Sequence, residues 1–182
     1  MSRKNNLWFK IIQVLSWIIF VGLCIQAGGF IFNTVFTLMF NPAGASRFWT
    51  EVDLAALYHF NQSHYVTLTV LMCIVTVLKA VLFYNIVHVF HSKKIDLAQP
   101  FNHSLKKFID LVAIISFGIG LFSLWGAGFT KNLMDDGLHM PNIADLSLTG
   151  GDVWWFTSVI LLVIGQIIKK GIEMQQENEL TI

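Results

Sequence analysis

Charge is what this sequence has least of. Asp, Glu, Lys and Arg together make up 13% of its 182 residues, against about 25% in an ordinary soluble domain. A surface that poor in charge does not suit water. The net charge of +1, with no basic helix and no aromatic–basic array, argues against direct nucleic-acid binding. Cysteine is nearly absent: Cys24 and Cys73 each stand alone in an apolar run. Without a C-x-x-C pair or a Cys/His cluster, neither a redox pair nor a zinc site is expected, and two lone thiols are most simply packing residues. No nucleophile elbow, phosphate loop or zincin motif occurs. Histidines at matched mid-membrane depth, which a haem would need, are missing too: His59, His64 and His139 fall in one pair of loops, and His88, His91 and His103 at or beyond the opposite edge. No cofactor, no metal and no enzyme activity is expected.

What the sequence has is long apolar runs, with 55% hydrophobic residues, 16 Phe and 6 Trp. A membrane span takes about 20 apolar residues. Four spans are read at about 11–40, 65–90, 108–129 and 153–170, with a tail at 171–182. The first is longer than a bilayer requires, hence tilted or protruding, and its apolar core is also too long for a signal peptide. The fourth is short, its apolar part ending at Ile168, with Lys169 and Lys170 placed to snorkel. The expected fold is all-α: a polytopic membrane protein of one four-helix domain, 1–182, packed as a bundle.

The distribution of cations sets the orientation. Arg3, Lys4, Lys10, Lys93, Lys94, Lys106, Lys107, Lys169 and Lys170 fall on one side, and only Arg47 and Lys131 on the other, which carries Glu51, Asp53, Asp135, Asp136, Asp145 and Asp152. Both termini are therefore expected in the cytoplasm of a cell-membrane protein, with loops 41–64 and 130–152 outside. The first outer loop holds TEVDLAALYHF, Thr50 to Phe60, whose apolar spacing predicts a short interfacial helix. The second, DDGLHMPNIADLSLTGG, is dense in turn signals.

Membrane helices meet through small and polar faces. At about 100° per residue, Gly22, Gln26, Gly29 and Asn33 form one stripe in the first span. Ala113, Ser116, Gly120, Ser123 and Ala127 form another in the third, and Ser158 aligns with Gly165 in the fourth. Each is an ordinary packing face.

One residue breaks the apolar pattern of the second span: Lys79, in IVTVLKAVLF. A lysine at the bilayer centre costs about 2.5–3.5 kcal/mol on insertion scales. It lies about 16 Å from the inner edge at 1.5 Å per residue, too deep to snorkel there. It must become an uncharged amine, find a partner or line a wet cavity. Asp110 is the one acid within a span, but it sits about 11 Å nearer the inner edge. Gln26 matches Lys79 better in depth, although its amide oxygen can accept but not neutralise. Lys79, Gln26 and Asp110, with Thr76 and Ser116 near in depth, form the candidate intramembrane polar site. Two readings stay open: a dry clasp between helices, or a site for an anion, a lipid headgroup or a proton. Access to water separates them.

Four stretches carry a family resemblance: GLCIQAG at 22–28, HYVTLTVLMCIVTVLKAVLFYNIVHVF at 64–90, PFNHSL at 100–105 and IGQIIKKGIEMQQENELTI at 164–182. In these the chain resembles the bacterial membrane family called domain of unknown function 2975. The resemblance implies a four-helix integral membrane protein without a known reaction. It also implies gene neighbours of the helix-turn-helix class, an association pointing toward regulation. The expected function is thus a binding or regulatory membrane module, with a cytoplasmic protein partner or a second copy of the chain docking beyond the bilayer. The alternative is a small oligomeric transporter or channel using Lys79.

Overall fold

The computed structural model describes residues 3–91 and 102–179, with side chains over 10–89 and 102–177. Lys93, Lys94 and the terminal Leu180-Thr181-Ile182 lie outside the described residues. Four long helices carry the fold: α1, Arg3–Met39; α3, Gln62–His91; α4, His103–Asp135; and α5, Gly151–Glu179. All four are long and apolar enough to cross a membrane. The protein is all-α, as expected, and a multi-pass membrane protein. A helix is the form such runs must take, because lipid offers the backbone no hydrogen-bond partner. Side-chain hydroxyls inside the spans follow the same rule: Ser16, Thr34, Thr69, Thr76 and Thr130 each donate to the carbonyl four residues back.

Between α1 and α3 the chain makes a 3-10 turn at Pro42–Arg47 and the short helix α2 at Ala55–Phe60. The helix expected in the first outer loop is therefore present. It is trimmed at its start because Trp49 and Val52 pair their backbones across a tight turn.

The helices do not close into the expected bundle. Among the described residues α1 packs on α3, α3 on α4 and α4 on α5, and no other two of these four come together. The result is an open row. Its best-packed core lies toward the loop end, where Phe30, Phe48, Leu57, Tyr65, Leu146 and Leu148 are buried together. The α4 stripe does what the sequence predicts, since Gly120 lies against the backbone of Gly151 and the ring of Trp155 on α5. The α1 stripe does not meet a helix. Gly29 receives the Trp49 ring, and the Asn33 amide donates to the Phe48 carbonyl at 2.6 Å. Loops occupy the face that a bundle would have given to a fourth helix.

Candidate functional site

The loop joining α4 to α5 departs furthest from its sequence reading. α4 ends in a Schellman cap: Gly137, at φ +86, donates to the Met134 carbonyl at 2.9 Å and Leu138 to that of Leu133 at 3.0 Å. The chain then turns back along the helices. By the time α5 begins, Gly151 lies beside Gly120 and Leu124, about 16–22 Å short of the end of α4 at 1.5 Å per residue. Residues 130–152 are thus not simply an outer loop. The last of them run back beside α4, and α5, expected to be short, is long enough to cross from Gly151 onward.

Non-helical backbone at that depth needs hydrogen-bond partners, and residues 142–148 supply several of their own. Residues 142–148 form a single helical turn capped by the Asn142 side chain, which accepts from Ala144 N at 3.2 Å. The turn closes with a second Schellman pair, Ser147 N to the Ala144 carbonyl at 3.0 Å and Leu148 N to that of Ile143 at 3.3 Å. The residue in the left-handed position is Ser147, at φ 61 and not glycine. A serine there costs about 1–2 kcal/mol relative to its relaxed backbone, so something must hold it.

Two side chains do. Lys79 Nζ donates to the Ser147 carbonyl at 2.9 Å. Gln26 Nε2 donates to Ser147 Oγ at 2.7 Å. Lys79 comes from α3 and Gln26 from α1, and their antiparallel packing sets them level: Phe20 meets Tyr84 below them and Thr34 meets Cys73 above. The helix geometry supports the lysine's reach, because side chains tilt toward the helix N-terminus, here toward the loop end. Leu146 and Leu148, both buried, flank the latched serine.

The remaining candidates go elsewhere. Asp110 does not reach Lys79. It forms an ion pair with Lys106, one turn earlier on α4, and lies against Gly165 of α5. The physical reason is depth: Lys79 extends away from Asp110, and a cation four residues off is nearer. Thr76 spends its hydroxyl on the Met72 carbonyl at 2.9 Å. Ser116 is buried on the α4 stripe and, like Ser123, finds no hydrogen-bond partner among the described residues. Ser147 is the residue that sequence reasoning misses. One signal points to it: Leu146 and Leu148 alternate inside a polar loop.

Because Asp110 is not part of the latch, Asp110→Asn should leave amide exchange at Ser147 and Leu148 unchanged. Hydrogen-exchange mass spectrometry of the two proteins in detergent checks this.

With this geometry in view, comparison with known proteins identifies a family. A family model, described as a protein of unknown function (DUF2975), covers residues 49–182. The chain belongs to this family. The DUF2975 match takes in α2 to α5 and the latched loop, and leaves α1, which contributes Gln26, outside it. Among curated proteins and solved structures none matches the chain.

Proposed function

We propose that this DUF2975 protein is a regulatory membrane module, with both termini in the cytoplasm of a bacterial cell membrane, as the lysine and arginine bias supports. The observation that carries the reading is the joint hold of α1 and α3 on Ser147, immediately before α5. Three residues separate Ser147 from a helix that runs to Glu179, well past the level of Asp110 and Gly165. A signal that loosens or tightens Ser147 at the outer side therefore moves a rod whose far end presents Lys169, Glu173 and Met174 to a cytoplasmic protein. Packing of α5 on α4 alone leaves it free to shift without disturbing α1 or α3.

Spin labels test this. With cysteines at the exposed positions Val81 and Met174, in a background lacking Cys24 and Cys73, the distance distribution should shift or broaden in Lys79→Met and Gln26→Leu. A distribution identical to that of the unsubstituted pair removes the coupling. Capture of a partner unaffected by deletion of the tail from residue 171 would remove the docking role.

A transporter or channel is the second reading, favoured by one feature: non-helical backbone beside a lysine at membrane depth, a pattern that lines ion and substrate paths in broken-helix transporters. Among the described residues no acid pairs with Lys79. Flux of anions or protons into liposomes that is abolished by Lys79→Met would select this reading over the first.

A further inference from the structure

The α1 stripe builds a second feature one turn beyond the latch. Trp49 is wedged on Gly29, where any side chain would strike its ring. The Phe48 carbonyl is pinned by Asn33, and Phe48 itself is buried. Trp49 and Val52 exchange backbone hydrogen bonds at 3.3 and 3.1 Å, and Leu54 N reaches the Ala45 carbonyl at 2.8 Å. The tight turn thus places Thr50 and Glu51 in the lining of an open cavity of about 580 Å³. Its lining includes Arg47, Glu51 and Asp53 from the loop, with the loop's Trp49 and Asn33 of α1. Among the described residues Arg47 forms no ion pair with either acid. The carboxylate of Asp53 is steadied by accepting from Ala55 N at 2.8 Å. Three exposed charges of both signs therefore line one opening, on a backbone that these hydrogen bonds order.

The placement selects the ligand class. Asn33 lies in the last part of the first span, so the cavity, otherwise lined by the loop, borders the loop end of that span. Phe32, Val35 and Met39 on that helix are exposed, as side chains facing acyl tails should be. A guanidinium suits a phosphate through paired hydrogen bonds. Two carboxylates suit a primary ammonium, which donates three hydrogen bonds where a quaternary choline donates none.

We propose that this cavity binds the headgroup of a phosphatidylethanolamine, its phosphate on Arg47 and its ammonium between Glu51 and Asp53. The site uses none of the latch residues and stands independently of the regulatory reading.

The test is native mass spectrometry of the full chain in detergent, offered equal amounts of phosphatidylethanolamine, phosphatidylcholine and phosphatidylglycerol with the same acyl chains. The ethanolamine lipid should be retained in preference to both others. Arg47→Gln should lower its retention about tenfold, as loss of a charge-assisted contact does. The pair Glu51→Gln with Asp53→Asn should equalise ethanolamine and choline lipids while phospholipid binding persists. Arg47 and Glu51 are exposed, and asparagine at 53 keeps an oxygen for the Ala55 amide, so folding is not at stake. Unchanged retention by Arg47→Gln overturns the proposal, as does phosphatidylglycerol binding as well as phosphatidylethanolamine. Displacement by millimolar inorganic phosphate would make the ligand a free anion and overturns the lipid assignment.

Discussion

Replacing Lys79 with methionine should free the turn around Ser147 while leaving the helices in place. The two energies involved have opposite signs. A hydrogen bond from a charged donor contributes about 1.5–3 kcal/mol, and its loss falls on the Ser147 carbonyl, which sits in a strained backbone. Removing a lysine from the bilayer interior returns about 2.5–3.5 kcal/mol. Global stability in detergent should therefore change by no more than about 2 kcal/mol, since the terms offset. The local effect has no such offset. Amides of Ser147 and Leu148, now bonded to the Ala144 and Ile143 carbonyls, should exchange at least about tenfold faster, the factor that 1.4 kcal/mol represents. Gln26→Leu removes only the hydroxyl contact and should give a smaller increase. Hydrogen exchange beside a thermal melt separates the two effects. Exchange at Ser147 that stays at its original rate would show that packing of Leu146 and Leu148 holds the loop and that the lysine is incidental.

The largest loss of stability is expected from Gly120→Val. A Cβ at this position would lie 2.8 Å from the carbonyl oxygen of Gly151, which is backbone and cannot swing aside as the end of a side chain can. Overpacking costs about 1–3 kcal/mol in a core that adjusts; a clash with a helix start should reach the upper end, about 3 kcal/mol. The displacement should also spread. Moving Gly151 away from α4 pulls on the turn that Lys79 and Gln26 hold, so faster exchange at Ser147 should accompany the lower melting temperature. Gly128→Val is the control: nothing lies within 4 Å of its Cβ position, it faces outward, and the melt should not change. Equal melting of the two variants would mean that α4 and α5 are not packed through Gly120.

Spacing along a helix reaches only so far, and the two small-residue stripes show where it stops. On α4 it places Gly120 on one face with Ser116 and Ser123, and that face meets a helix. The same spacing on α1 places Gln26, Gly29 and Asn33 together, yet this stripe meets two loops. Periodicity reports which residues share a face; it carries no information about what arrives there. The Lys106–Asp110 pair is legible in the sequence as well, as a cation and an acid one turn apart. Depth alone hides it, because depth leaves Asp110 as the one intramembrane acid for Lys79.

By itself the sequence determined the number of spans, the all-α class, and the matched depth of Lys79 and Gln26. These follow from hydrophobic length and a constant helical rise, which act locally along the chain. The open row of helices, the return of the second loop to membrane depth and the choice of Ser147 as the shared partner were decided by tertiary structure. They depend on contacts between segments as far apart as Gln26 and Ser147, and on a backbone turn whose left-handed residue is tolerated only because two other helices hold it.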